Sequence, residues 1–252
     1  MRGLLVSDLH YTLKQLDWVD GVADRFDLVV IAGDSLDVAS IVALGAQIVV
    51  VSKYLRRVAG RTRLAVSSGN HDLNARDADG ERTATWLAKG KVPGAFTDGD
   101  YAEIGDVSLT VCRWWDGPHA CAEVGRQLAR DAARRRQKWI WVYHAPPDAS
   151  PVSWTGSKYY GDAELVRWAR EYRPDLVLSG HVHQSPFRQG GSWVDRLGDT
   201  WVFNAGREMS PYPPHVIFDT DAHTATWTSG AGSETVDLDQ PLVRPVPAVT
   251  PS

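Results

Sequence analysis

Five short apolar runs, each ending in Asp, Asn or His, constrain this chain more than any other feature. Leu4-Leu5-Val6-Ser7 leads into Asp8 and His10, and Leu28-Val29-Val30-Ile31-Ala32 leads into Gly33-Asp34-Ser35-Leu36-Asp37. Leu64-Ala65-Val66 opens onto Gly69-Asn70-His71-Asp72, and Trp139-Ile140-Trp141-Val142-Tyr143 onto His144. Leu176-Val177-Leu178-Ser179 opens onto Gly180-His181-Val182-His183. Apolar, β-branched runs bounded by Gly, Ser or Pro read as buried strands, so these polar groups stand where strands run out. In open α/β sheets that edge is where ligands bind.

Helical spacing fills the gaps between the strands. Leu13, Leu16, Val19 and Val22 predict a helix after the first strand, and Ile41, Leu44, Ile48, Val51, Leu55 and Val58 one after the second. Arg82 to Ala88 and Asp162 to Tyr172 read as shorter helices, the second opened by acidic Asp162 and Glu164. A helix over Ala120 to Lys138 would carry Arg126, Arg130 and Arg134 to Arg136, several of them on one exposed face, which reads as a solvated surface. Three hairpins are expected later: Tyr101 to Cys112 around Gly105-Asp106, Trp193 to Asn204 around Gly198-Asp199, and Val216 to Trp227 around Asp219 to Ala222. Parallel βα units followed by antiparallel hairpins imply a mixed α/β architecture, most simply two packed sheets flanked by helices.

At 252 residues and 43% hydrophobic, the chain can build one continuous core. The polar blocks interleave along most of the length and converge only within a single domain, placed at residues 1–238. Residues 239–252 hold four prolines from Pro241 onward and are expected to form an extended or disordered tail. A net charge of −4 provides no global basic field, so nucleic acid is a possible partner but not a favoured one. No apolar run approaches the length of a membrane span. The first strand begins almost at Met1 with no room for a signal peptide, and Cys112 and Cys121 form no C-x-x-C pair, so the expected compartment is the cytoplasm.

Asp8, Asp34 and Asn70 with the histidines 10, 144, 181 and 183 offer oxygen and imidazole donors without a thiolate. Such a set suits Mn, Fe, Zn or Co, whereas oxygens alone would point to Mg or Ca. Seven candidates exceed what one ion needs, and two ions sharing a bridging carboxylate would use them all. No G-x-S-x-G elbow or P-loop occurs, which leaves serine-nucleophile and nucleoside-triphosphatase readings without support.

The order D-x-H, G-D-x-x-D, G-N-H-D, H, G-H-x-H, running from Asp8 to His183, resembles the calcineurin-like metallophosphoesterase superfamily. The resemblance implies a four-layer αββα sandwich of two mixed sheets flanked by helices. It also implies two divalent ions, Mn or Fe first and Zn or Co next, with Asp8, His10, Asp34 and His183 on one and Asp34, Asn70, His144 and His181 on the other. A metal-bridging hydroxide would then attack phosphorus. His71, beside the ligand Asn70, becomes the general acid, with Asp37 as the partner that orients and charges its imidazole. Because His71 and all seven ligands are retained, a non-catalytic scaffold is set aside.

The motif set is most similar to the bacterial cyclic-nucleotide phosphodiesterases. Protein phosphatases of the superfamily carry Arg after G-D-x-x-D, and Val38 stands there instead, which favours a small phosphodiester, possibly a nucleotide, over a phosphomonoester. Phosphatase and nuclease activities at the same metal centre remain the alternatives. Candidate substrate contacts are Asn74, Arg113, Trp115, Lys158, Tyr160 and Arg207, since aromatic rings stack on bases and cations pair with phosphate.

Overall fold

The computed structural model describes residues 1–88 and 90–243. Fifteen strands and four helices run along the described chain in the order β1 (Arg2–Val6), α1 (Leu13–Val22), β2 (Leu28–Ala32), α2 (Leu44–Ala59), β3 (Arg63–Ser67), β4 (Ala75–Arg76), β5 (Arg82–Thr83), β6 (Ala95–Phe96), β7 (Tyr101–Ile104) and β8 (Val107–Val111). They continue with α3 (Pro118–Ala132), β9 (Lys138–Val142), α4 (Ala163–Tyr172), β10 (Leu176–Ser179), β11 (Val194–Leu197), β12 (Thr200–Asn204), β13 (His215–Asp219), β14 (Thr224–Ser229) and β15 (Gly232–Asp237).

Two mixed sheets result. One has the order β15-β14-β13-β1-β2-β3-β6 and the other β11-β12-β10-β9-β8-β7. Strands β1, β2 and β3 are parallel neighbours, as are β8, β9, β10 and β12, and the hairpin strands extend the sheets antiparallel. Alternation along a strand sends successive side chains to opposite faces. Leu5, Val30 and Ala65 therefore turn inward and meet Leu109, Ile140, Val142 and Leu178 between the sheets. Leu4, Val29 and Leu64 turn outward against Leu16, Val19, Val51 and Leu55 of α1 and α2. On the far side, Trp139, Trp141 and Val177 pack on Val124 and Leu128 of α3 and on Leu165 and Trp168 of α4. The layers are thus αββα, as expected.

Several elements depart from expectation. Arg82 to Ala88 is no helix: Arg82–Thr83 pairs with Ala75–Arg76, and Thr85–Leu87 forms a single 3-10 turn. Seven residues supply too few internal hydrogen bonds to offset helix nucleation, and the Trp86 indole is anchored to the Asp72 carbonyl at 2.9 Å. Helix α2 starts at Leu44, leaving Ile41 fully exposed in the preceding loop. Helix α3 stops at Ala132, so Arg134 to Arg136 share no helix face with Arg126 and Arg130. They are spent locally, Arg134 on Asp131, Arg135 on the Tyr172 and Arg173 carbonyls, and Arg136 on Glu103. Strand β15 adds a partner to the third hairpin.

Asp162 caps α4, its Oδ1 accepting from Glu164 and Leu165 N–H at 2.9 and 3.1 Å. In the expected tail, Leu242 packs half-buried against the inter-sheet core, and residues 244–252 lie outside the described residues. Among the described residues no helix is long and apolar enough to cross a membrane, and both cysteines are free thiols.

Candidate active site

All five blocks arrive at one edge of the sandwich, where β1, β2, β3, β9 and β10 end. The chain does not leave β1 in extended conformation. Asp8 (φ 55°), His10 (φ 41°) and Tyr11 (φ 55°) are left-handed, and the segment is pinned to the β2 loop by Asp8 N–H to the Gly33 carbonyl and His10 N–H to the Asp34 carbonyl, at 3.1 and 2.9 Å. Asp34 (φ 53°) and His181 (φ 67°) are left-handed too. Non-glycine residues adopt that region at a cost of order 1–3 kcal/mol each, and such strain concentrates at functional sites.

The side chains fall into two groups that share one carboxylate. One donor atom from each of Asp8, His10, Asp34 and His183 lies within 4.8 Å of the others, and the same holds for Asp34, His144 and His181. His10 Nε2 and His183 Nε2 face each other at 3.1 Å, and His183 Nε2 lies 3.1 Å from Asp8 Oδ1. His144 Nε2 stands 3.1 Å from Asp34 Oδ2. Donors held ~2.0–2.2 Å from one ion sit roughly 3 Å apart, so these separations fit coordination spheres. Further observations agree. His144 Nδ1 is bound to the Ala32 carbonyl at 2.7 Å, which directs the Nε2 lone pair inward, and that buried atom has no hydrogen-bond partner. Asn70 Oδ1 is likewise buried and unpartnered. Buried acceptors are left unsatisfied only at a cost, unless a cation completes them.

Close backbone approach makes this packing possible. A Cβ on Gly69 would stand 2.2 Å from Asp34 Oδ1, and one on Gly180 would stand 2.5 Å from Asp8 Oδ2. Only glycine allows these loops to press on the carboxylates.

In the metal-free protein the histidines hold the carboxylates ionised. Burial opposes ionisation of Asp8, but His183, His144 and His10 outweigh it and hold its pKa well below the ordinary range. Asp34 is lowered too, burial being overcome chiefly by His144. Burial would lower His144, yet Asp34 and Asp8 carry it up to about 9. Burial wins at His10 and His181, which fall to about 4, with Arg207 and His183 adding to the effect at His10 and His144 at His181.

Asp72 is a site residue that the sequence reading does not single out. Fully buried, it accepts from the N–H groups of Gly69 (2.8 Å), Leu36 (3.0 Å) and Ser35 (3.4 Å), tying the Asp34 loop to the Asn70 loop. Desolvation and the neighbouring Asp34 raise its pKa to about 7. Its one signal is its place in Gly69-Asn70-His71-Asp72.

His71 lies beside the first group, its ring edge-on to His10 at 4.5 Å, and its N–H donates to Asp34 Oδ1 at 2.8 Å. Its Nδ1 accepts from Val38 N–H at 3.4 Å. Asp37 comes within 4.8 Å of the His71 and His10 ring nitrogens, but its Oδ1 accepts from Ala39 N–H at 2.9 Å.

The expected substrate contacts separate. Tyr160 stacks on His181 (5.1 Å, 23°), Lys158 stands over Tyr160 at 5.5 Å, and Arg207 N–H donates to the His183 carbonyl at 3.1 Å, so these three border the site. Asn74 is spent on Thr85, Arg113 on Glu123, and Trp115 lies flat on Tyr143 at 4.0 Å. The ring that reaches the histidines is Trp114, 5.2 Å from His181 and 5.6 Å from His144. Neighbouring side chains in extended chain point opposite ways, which sends Trp114 toward these histidines and Trp115 onto Tyr143.

Comparison with known proteins places this arrangement. Residues 1–185 match the family model for calcineurin-like phosphoesterases. Among solved structures, a dimetal phosphatase from Danio rerio superposes with a TM-score of 0.57 at 11% identity, covering 94% of this chain and 99% of that one. The protein TT1561 of Thermus thermophilus gives 0.56 at 14% identity, over 94% and 98% of the two chains. Purple acid phosphatase PPD1 of yellow lupin gives 0.58 at 13% identity, over all of this chain and 56% of that one. At such identities the likeness is one of fold. No curated protein sequence matches. With five motif blocks gathered at one sheet edge and a family match spanning them all, the chain belongs to the calcineurin-like phosphoesterases, a family of metal-dependent hydrolases.

Proposed function

We propose that the protein is a phosphodiesterase using two divalent transition-metal ions, similar to the bacterial cyclic-nucleotide phosphodiesterases and acting on a small phosphodiester such as a nucleotide. The observation that carries this reading is the sharing of Asp34 between two donor clusters. Asp8, His10, Asp34 and His183 hold one ion in this reading, and Asp34, Asn70, His144 and His181 the other. Mn or Fe suits the mixed donors best, with Zn and Co as further fits. When bound, such a pair supplies a water of lowered pKa for in-line attack and neutralises charge on the phosphoryl oxygens.

His71 is the general acid of the proposal. Nδ1 faces Val38 N–H, so Nε2 is the nitrogen that would pass a proton to the leaving oxygen, the imidazolium ring becoming neutral as it does so. Half-exposed, the ring regains that proton from solvent. Asp37, within 4.8 Å of the His71 ring, is its orienting partner in this reading, acting through the Ala39 bond that shapes the turn presenting Val38 N–H.

The preference for diesters rests on Val38, 55% exposed where the phosphatases of the superfamily carry an arginine. One fewer cation faces a phosphomonoester dianion. The test compares kcat/KM for matched aryl diester and monoester with Mn present. The diester is expected to lead, and a monoester preference of about tenfold or more would replace this reading with a phosphatase. A nuclease would reveal itself by DNA or RNA binding that weakens steeply with salt.

A further inference from the structure

We infer that Arg188 and Arg207 form a second anion seat beside the metal-binding edge, and that the substrate is a phosphodiester whose far arm ends in a phosphate or carboxylate. This deepens the phosphodiesterase reading and rests on it.

A cavity of about 280 Å³ is lined by His183, Phe187, Arg188, Arg207 and Glu208, among others. His183 forms one wall, so the cavity adjoins the Asp8–His10–Asp34 cluster. Arg207 is fixed there by its backbone. Its N–H holds the His183 carbonyl, and the preceding turn is locked by Asn204, which donates to the Val182 and Val152 carbonyls and accepts from Gly206 N–H. Arg188 follows the 3-10 turn Ser185–Phe187, with its stem running past Gly156.

Neither guanidinium has a hydrogen bond or ion pair with any described residue. Among the described residues the guanidinium groups of Arg25, Arg56, Arg63, Arg126, Arg170 and Arg173 lack partners as well, so what marks Arg188 and Arg207 is the cavity they share with His183. Arg57, Arg82, Arg113, Arg134, Arg136 and Arg167 are all matched to carboxylates. Glu208 is the one carboxylate on the cavity wall, and it is engaged elsewhere, its Oε2 accepting from Gly230 N–H at 2.8 Å. Two guanidinium groups against one carboxylate on the wall of a small cavity favour an anion there over a neutral or cationic group. The planar guanidinium fork takes phosphate and carboxylate through paired hydrogen bonds. Phe187, packed on Trp227 at 5.6 Å, adds an apolar wall for the methylenes of a short linking arm.

The test uses full-length, Mn-loaded protein and p-nitrophenyl phosphodiesters differing only in the second arm: ethyl, 2-carboxyethyl, 2-phosphoethyl and choline. The 2-phosphoethyl ester is expected to exceed the ethyl ester about tenfold in kcat/KM, mainly through KM, with choline poorest. Arg188→Gln and Arg207→Gln should each lower the 2-phosphoethyl to ethyl ratio, and the double substitution should bring it close to one. The ratio cancels any general loss of turnover. Arg188 is exposed, so its single variant serves even if Arg207→Gln folds poorly. The relative rates of the carboxyethyl and phosphoethyl esters tell which anion the seat prefers. Equal rates on all four arms, or an advantage that survives the double substitution, would overturn the anion seat. The ethyl ester would still be hydrolysed in that case, leaving the phosphodiesterase reading intact. If no diester were turned over by metal-loaded protein, both would fall.

Discussion

Asp8, Asp34, His144 and His181 leave the ends of strands buried on both faces, whereas Lys158, Tyr160, Arg188 and Arg207 stand on loops that only border the same edge. The first group is held by backbone. Asp34 Oδ1 takes His71 N–H, both Asp8 oxygens take His181 N–H at 3.1 Å, and Asp72 braces the two loops between them. Left-handed residues persist there because packing on every side overdetermines them. The rim side chains are far less buried, and Tyr160 is 54% exposed. In the proposed reading, chemistry that needs donors fixed to a fraction of an ångström thus sits on the rigid part, and the choice of substrate on the part that can vary.

The sharpest way to break this contrast is at its shared atom. Asp34→Asn is expected to reduce activity to background and bring bound metal from two ions per chain to fewer than one, measured by elemental analysis after reconstitution with Mn. Retention of two ions would remove Asp34 as the bridge. Next in size is His71→Ala, which should keep both ions while lowering turnover by roughly 10²–10⁴-fold. The deficit should shrink for esters whose leaving group needs no proton. Loss of an ion from His71→Ala would move His71 from the rim of the chemistry into the metal seat.

The same contrast explains what could be read from the sequence. Strand-end ligands announce themselves because a buried strand must be a continuous apolar run, so an Asp or His just past Val6, Ala32 or Ser179 has few structural reasons to be there. The layers were legible for the same reason. The D-x-H geometry was not, because left-handed backbone at Asp8 and His10 is imposed by the neighbouring β2 loop and leaves no local trace. The short stretch from Arg82 to Ala88 misled because tertiary contacts of Trp86, not helical spacing, decide its path. Around the rim, Trp114 and Trp115 are equivalent in composition. Only the fold decides which faces His181 and which stacks on Tyr143. Arg188 had no motif to mark it, since its significance in the proposed reading lies in the cavity it shares with His183 and Arg207.

A smaller effect separates the buried histidines from one another in the metal-free protein. His144 is carried up to about 9 by Asp34 and Asp8 against the effect of burial, while burial brings His10 and His181 down to about 4. At pH 7 the first is expected to be an imidazolium and the other two neutral. An NMR titration of the histidine rings in chelator-treated protein checks this. His144 should lose its proton as pH rises through about 9, and His10 and His181 should gain theirs only as pH falls toward about 4. Adding Zn at pH 8 should strip the His144 proton, because only a neutral imidazole binds a cation. Three rings titrating together near their ordinary value would mean that the two carboxylates are not held as close as the geometry has them.

The least effect on catalysis is expected at Trp115. Its ring lies parallel to Tyr143 (4.0 Å, 4°) and edge-on to Trp168 of α4 (5.3 Å, 77°), so it is committed to packing. Aromatic pairs of this kind contribute about 0.5–1.5 kcal/mol beyond the area they bury. In a domain of this size that corresponds to a loss of roughly 2–6 °C in Tm for Trp115→Leu. Turnover should stay within about twofold, since no atom of the ring is asked to touch substrate. Tyr160→Leu should do the opposite, leaving Tm unchanged and lowering kcat/KM, because its exposed ring packs on His181 rather than on the core. If Trp115→Leu instead lost activity tenfold with Tm intact, the division between core aromatics and rim aromatics would be drawn in the wrong place.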